Sequence, residues 1–304
     1  MPSLEPPAIL TRGLTKRFGR LVAVKGLDLA VEPGQVFGFL GLNGAGKTTT
    51  IRILLDLLRP SAGRAAILGH DCQSDGIAAR ALVGYMPGEP GFYRDMTGRQ
   101  ALAVLARLSA CAVSGPWQGE LLERLALGGS DLDRRVREYS TGMKRKLAVV
   151  AAFQADAPLL VLDEPTEGLD PLMQEACYTL LADVRRQGRT VFLSSHVLSE
   201  VDRVCDRIGV LRAGELVLEA PVDQVRRMAP RTVRVEFTQP VPPPPAGWPA
   251  SIEIAHVTDT QWSLRVVGSA APVIASLAGL PVADLDVREP RLEDVVIQYY
   301  REAP

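Results

Sequence analysis

The sequence predicts an α/β fold with a smaller α+β unit behind it, and three observations carry that expectation. Short apolar runs of strand length alternate with segments of helical period between Gln35 and Leu193. Glycine-rich or acidic residues follow several of those runs directly, where open α/β sheets place their ligand loops. From about Val222 the composition shifts, with a proline run at Pro242–Pro245 and a new series of strands and helices.

Bulk properties narrow the class. At 304 residues the chain is long enough for about two domains with real cores. Its 47% apolar and 23% charged content suits a soluble globular protein. A formal net charge of −1 gives no reason to expect nucleic acid as a partner. The longest apolar runs, such as Leu147–Phe153, fall far short of the ~20 residues that span a bilayer. Met1–Leu10 carries Glu5 followed by Pro6 and Pro7 where a leader would be basic and then apolar, so a cytoplasmic location is expected. Cys72, Cys111, Cys177 and Cys205 form no C-x-x-C pair and read as reduced packing residues rather than metal ligands.

Each element follows in order. Ala8–Val31 suits short antiparallel strands, with Phe18 isolated in the basic stretch Lys16–Arg20. Such an aromatic can stack on a purine ring; the alternative is a half-buried strand residue. Gln35–Leu40 reads as a buried strand, and Ile51, Leu54, Leu55 and Leu58 recur at helical spacing. Between them lies Gly41-Leu42-Asn43-Gly44-Ala45-Gly46-Lys47-Thr48, which matches the phosphate-binding pattern G-x-x-x-x-G-K-[ST] in the strand–loop–helix context the pattern needs. Gly41, Gly44 and Gly46 let backbone N–H groups turn inward around a polyphosphate, and the helix N-terminus adds its positive end. Lys47 would reach the β- and γ-phosphates and the Thr48 hydroxyl would ligate Mg²⁺.

Beyond this loop, Arg64–Leu68 is a strand, Gly76–Leu82 a short helix and Val83–Met86 another strand. Pro87–Gly91 breaks the pattern. Thr97 and Gln100 form a capping box for a helix carrying Leu102, Leu105 and Leu108, and a helical insert continues through Leu121–Leu127 to about Arg137. Tyr139–Met143 then precedes a helix whose apolar face is Leu147, Val150 and Ala151. Ser140 and Gly142 at its start suit either an anion site or a plain N-cap. Lys144, Arg145 and Lys146 in its first turn oppose the helix dipole and read as a solvated face.

Pro158–Leu162 is a strand ending in Asp163 and Glu164, suited to hold Mg²⁺ through water and to act as general base, respectively. Asp170-Pro171 opens a helix that Gly188 closes, and Thr190–Leu193 is a strand leading to Ser194, Ser195 and His196. His196 could reach a γ-phosphate from there; a lone histidine is otherwise structural. Ile208–Leu218 reads as a hairpin turning at Ala213-Gly214. In the second unit, Thr232–Phe237, Ser251–Ala255, Trp262–Val267 and Val282–Val287 are extended, while Val273–Leu280 and Leu292–Tyr300 are helical. The expected division is 1–221, with the helical insert at about 88–138, and 222–304 as an accessory α+β domain.

With these motifs in hand, Ala8–Glu219 resembles the nucleotide-binding domain of ABC-type ATPases. The resemblance rests on the ordered set Gly41–Thr48, Tyr139–Met143, Leu159–Glu164, Glu167–Asp170 and His196. It implies a P-loop NTPase core made of a mixed sheet, an antiparallel β subdomain and a helical subdomain, with ATP and Mg²⁺ as cofactors. It further implies that Gly41, Leu42, Asn43, Gly44, Ala45, Gly46, Lys47, Thr48 and Thr49 hold the phosphates and that Phe18 stacks on adenine. Thr48 and Asp163 would hold the metal, and Glu164 and His196 would be the base and the γ-phosphate sensor. Ser140, Thr141, Gly142 and Asp170 would meet the nucleotide or loops of a second nucleotide-binding subunit in a head-to-tail dimer. The stretches Gly84–Tyr93, Glu164–Pro171, Ser194–Leu211 and the terminal PRLEDVVIQYY look like ATPase subunits of type-2 exporters for antibiotics and drugs, which pair with a separate membrane permease.

Two departures stand out. The common L-S-G-G-Q signature is Tyr139-Ser140-Thr141-Gly142-Met143, and position 88, a metal-touching glutamine in many relatives, is Gly88. Glu89 beside it substitutes as a metal contact, or that contact is absent. The rival reading is an ABC ATPase acting on nucleic acid or ribosomes. A single phosphate loop, no long heptad stretch between Thr48 and Tyr139 and near-neutral charge disfavour it.

Overall fold

The computed structural model describes residues 6–228, 230–245, 248–288 and 291–301. Residues 1–5, on which the leader reading of Met1–Leu10 partly rests, lie outside the described residues. The chain divides into two compact units, Met1–Glu219 and Ala220–Pro304.

The first unit opens with β1 (Ile9–Phe18) and β2 (Leu21–Val31), an antiparallel pair with register shifts in β1. β3 (Val36–Leu40) is buried at every position and feeds the glycine loop and α1 (Lys47–Leu54). Then come β4 (Ala62–Ile67), the short β5 (His70–Asp71), α2 (Gly76–Ala81) and β6 (Val83–Met86). The helical insert holds α3 (Gly98–Leu108), α4 (Gly115–Arg124) and α5 (Gly129–Leu132). The long α6 (Thr141–Phe153) leads to β7 (Leu159–Asp163), α7 (Pro171–Arg186), β8 (Thr190–Ser195) and α8 (Leu198–Val204). The hairpin of β9 (Arg207–Arg212) and β10 (Glu215–Pro221) turns at Ala213-Gly214, both with positive φ, as a two-residue turn requires.

Two sheets result. One is antiparallel in the order β2-β1-β4-β5; the other has six strands in the order β10-β9-β3-β8-β7-β6, with β3, β6, β7, β8 and β9 parallel. The continuous apolar runs of β3 and β7 are what a sheet buried on both faces demands. Phe37 and Phe39 of β3 meet Phe192 of β8, with ring centroids 5.8 and 5.2 Å apart, at the centre of the core. α6 can lie close to β6 because position 84 is glycine; a Cβ there would stand 2.4 Å from the Ala152 carbonyl oxygen.

Three local outcomes differ from the sequence expectation. α1 stops at Leu54, so Leu58 packs from a loop. Asp56 takes φ 55°, and the N–H groups of Asp56 and Leu57 donate to the Ile53 and Arg52 carbonyls in a Schellman end that no glycine announces. α3 begins at the expected Thr97–Gln100 box, but only Leu102 of its three leucines is buried; Leu105 and Leu108 are exposed. α4 starts at Ser114, and its Trp117 donates its indole N–H to the Phe153 carbonyl at the end of α6 (2.8 Å). The four cysteines are free thiols; burial pushes Cys72 and Cys177 up to about 12.

The second unit holds α9 (Val222–Met228), β11 (Arg231–Phe237), β12 (Ile252–Thr258), β13 (Gln261–Val266), α10 (Ala271–Ser276), β14 (Val282–Arg288) and α11 (Leu292–Arg301). Its sheet runs β12-β13-β11-β14, all antiparallel, and buries Val233, Val235, Trp262 and Leu264 against Val273 and Leu277. Pro242–Pro245 lie outside any strand or helix.

Replacing Phe192 by alanine removes the ring shared by Phe37 and Phe39. Equilibrium urea unfolding of the variant is expected to show a loss of about 3–5 kcal/mol from the first unit's transition.

Candidate active site

The parallel strands end level with one another, and their next residues share one edge. In register, Leu40 of β3 stands beside Ser195 of β8, and Asp163 of β7 beside Ser194. The loops leaving β3, β6, β7 and β8 therefore line a common open cleft of about 750 Å³, where a doubly wound sheet binds its ligand.

The glycine loop forms its floor. Gly46 sits at φ 111° as N-cap of α1, and a Cβ there would be 2.4 Å from the Ala23 carbonyl oxygen, so the loop can lie this close to β2 only with glycine. Gly44 also has positive φ. Leu42 to Thr49 all line the cleft; Gly41 lies behind it, its carbonyl accepting a 2.5 Å hydrogen bond from Lys47 Nζ. Lys47 is only 6% exposed and needs an anionic partner at that depth, which Glu164 Oε1 supplies at 3.3 Å.

Glu164 is the most constrained residue of the site. It adopts φ 52°, unusual for a residue with a Cβ. Its N–H donates to the Ser194 carbonyl (3.2 Å) and hydroxyl (3.1 Å), and its carbonyl accepts from Arg145 Nη2 (2.6 Å). Its other carboxylate oxygen lies 2.8 Å from His196 Nδ1. Asp163 beside it is buried and accepts a 2.5 Å hydrogen bond from the Ser194 hydroxyl, so one serine orders both acids.

Phe18, at the end of β1, is 46% exposed on the cleft wall with Lys16 Nζ 5.0 Å from its ring centre. Glu89 lines the cleft as well. At position 88 a side chain has little room, since a Cβ would meet Asp163 Oδ2 at 3.3 Å. Ser140, Thr141, Gly142 and Asp170 are not brought into this cleft. Ser140 caps α6 through the Met143 N–H (3.2 Å) and Asp170 caps α7 through the Met173 N–H (3.0 Å), leaving both loops on the surface.

The sequence reading gave no site role to Arg52, Tyr85 or Glu167, although Glu167 opens one of its motifs; all three line the cleft. Burial, and then the charge of Asp163, holds the Tyr85 hydroxyl above its ordinary pKa, so it is a neutral donor at physiological pH. Arg145 requires a correction: it is not on a solvated face but buried at 5% exposure. Besides Glu164 it donates to the Glu167 carbonyl (2.8 Å), the Glu167 carboxylate (3.1 Å) and the Gly88 carbonyl. In the structure Arg145 is the fifth residue of α6, beyond its first turn, so no local signal marked it out from Lys144 and Lys146. A second tie comes from Glu200 of α8, which accepts from Thr166 (2.6 Å) and Ser195 (3.3 Å) and so fastens the loop after Glu164 to the residue before His196.

The chain is similar to known proteins in sequence and fold. Residues 24–167 match the ABC transporter family. The daunorubicin resistance ATP-binding protein DrrA3 of Streptomyces coeruleorubidus is 39% identical over 72% of this chain and 70% of its own length. The chain belongs to the ATP-binding proteins of ABC transporters. The bacitracin transport ATP-binding protein BcrA of Bacillus licheniformis is similar too, at 36% identity over 72% of this chain and 71% of its own. A solved structure of an ATP-binding subunit of an ABC transporter is 28% identical, covers 73% of this chain and 92% of its own, and superposes with a TM-score of 0.67. As a member of this family, the chain binds ATP. Among the described residues no helix is long and apolar enough to cross a membrane.

Lys47→Ala is expected to weaken ATP binding roughly tenfold or more, since its buried ammonium lines the cleft among the residues of the glycine loop. Titration with a fluorescent nucleotide reads this directly.

Proposed function

We propose that the protein is the ATP-hydrolysing subunit of an export system and drives efflux through a separate multi-spanning membrane permease. The observation that carries it is the convergence of Lys47, Asp163, Glu164 and His196 on one cleft at the sheet edge, with Glu164 bonded to both Lys47 and His196. Relatives named for bacitracin transport and daunorubicin resistance support export as the process served.

In this reading Phe18 stacks on adenine, and the N–H groups from Leu42 to Thr49 with Lys47 neutralise the phosphates. Thr48 and Asp163, with Glu89 nearby, are the oxygen donors suited to Mg²⁺; the donor set of one hydroxyl and carboxylates fits a hard cation that keeps waters. Bound there, Mg²⁺ would offset charge on the phosphates. Glu164 accepts the proton of the attacking water, and its fixed backbone aims the carboxylate. His196 donates toward the γ-phosphate while oriented by Glu164.

The surface position of Ser140, Thr141, Gly142 and Asp170 favours a head-to-tail pair of nucleotide-binding subunits, each closing the other's cleft with these residues. An apolar groove formed by Phe92, Tyr93, Met96, Leu105 and Leu108, about 290 Å³ in volume, is the surface offered to the permease. The exposed leucines of α3 belong to it. The protein then works from the cytoplasmic face of the membrane, held there by the permease, with no nucleic acid involved. The second unit serves as an accessory domain.

Tagged Glu164→Gln protein, extracted from native membranes with detergent and ATP, is expected to bring down a multi-spanning membrane protein in stoichiometric yield. Mass spectrometry identifying ribosomal proteins or nucleic acid instead would transfer the assignment to the rival class. Leu105→Asp with Leu108→Asp is expected to abolish that co-purification while leaving ATP affinity within about twofold, because these two leucines line the groove and not the cleft, although Tyr85 and Pro87 border both.

A further inference from the structure

α6 begins at the signature-like segment and passes beneath two loops that belong to the hydrolysis machinery. One follows β6 and contains Gly88 and Glu89; the other follows β7 and contains Glu164 and Glu167. Neither loop is in a regular ladder at these points, so its backbone carbonyls need partners from outside. One side chain supplies them. Arg145 donates Nη1 to the Gly88 carbonyl, Nη2 to the Glu164 carbonyl at 2.6 Å and the Glu167 carboxylate at 3.1 Å, and Nε to the Glu167 carbonyl at 2.8 Å.

The choice of arginine is chemically specific. A guanidinium presents donors in a rigid planar fork, so all its bonds fix one relative position of the groups it touches. A lysine ammonium at the same depth could satisfy some of these acceptors but would not hold three carbonyls from two loops in one plane. The Glu164 carbonyl is also the one whose orientation follows from the left-handed φ of 52°. Arg145, bonded to the Glu164 carbonyl, and Ser194, which accepts from the Glu164 N–H, therefore hold the two peptides that flank the Glu164 Cα.

We propose that Arg145 is a positioning residue for ATP hydrolysis: it holds the Glu164 backbone in the conformation that aims the carboxylate, and fixes that carboxylate relative to the Gly88–Glu89 loop and the start of α6. This inference rests on the assignment of Glu164 as base. Because Arg145 lies five residues after the Ser140 cap on the same helix, any displacement of the signature-like segment is carried directly to the base of its own chain. Arg145 itself does not line the cleft, so it acts through Glu164 and not on the nucleotide.

The test compares the full-length protein with Arg145→Lys and Arg145→Gln, measuring nucleotide affinity by titration and turnover at saturating ATP. Both variants are expected to lose at least tenfold in kcat while the nucleotide Kd moves by less than threefold. Arg145→Lys, which keeps the buried charge, guards against a variant that merely fails to fold. Equal losses in affinity and turnover in both variants would mean a structural role and overturn the proposal, as would Arg145→Lys with unchanged kcat. A parent protein that turns over ATP, with Glu164→Gln as active as the parent, would instead remove the assignment of the base, and this inference with it.

Discussion

Parallel pairing among β3, β8 and β7 is the constraint on which the site depends. These strands are buried on both faces, so a slip of one residue would turn every side chain over and carry Asp163 away from Ser194. The shared aromatic packing of Phe37, Phe39 and Phe192 opposes such a slip, because it matches the two strands at one register only. The chemistry at the edge then needs little further organisation. Residues a single step beyond the last ladder pair already stand side by side, and Ser194 links Asp163 to the N–H of Glu164.

Charge at that edge is balanced locally. Lys47 is almost fully enclosed, and such an ammonium is tolerable only with a carboxylate and a carbonyl at hand. Glu164 is in turn shared between Lys47 and His196. The three residues come from α1, the end of β7 and the end of β8, so the balance depends on the sheet and would be lost with it. Glu200 reinforces the arrangement from below by bonding to both Thr166 and Ser195.

Sequence alone disclosed what is local. The glycine loop, the Thr97–Gln100 box, the Asp170-Pro171 helix start and the Ala213-Gly214 turn each require particular residues at fixed spacing, and each stands in the structure where the spacing put it. What stayed hidden depends on partners distant in the chain. Lys144, Arg145 and Lys146 look equivalent in a row of cations, and only the approach of two loops to one side of α6 distinguishes the middle one. The end of α1 was misread because Asp56 takes the left-handed conformation that glycine usually signals. The leucines of α3 were legible as a stripe, but a stripe does not say whether its cover lies in the same chain.

One contact outside the site has a use of its own. Trp117 is the sole tryptophan of the first unit; the other two, Trp248 and Trp262, lie together in the second. Its half-buried indole bridges the helical insert to the far end of α6 through the Phe153 carbonyl. An indole whose N–H is held by a carbonyl changes its emission when that bond lengthens or water takes the carbonyl's place. The chain thus carries a built-in optical gauge at the joint between insert and α6, readable without any added dye once the pair in the second unit is replaced by phenylalanine.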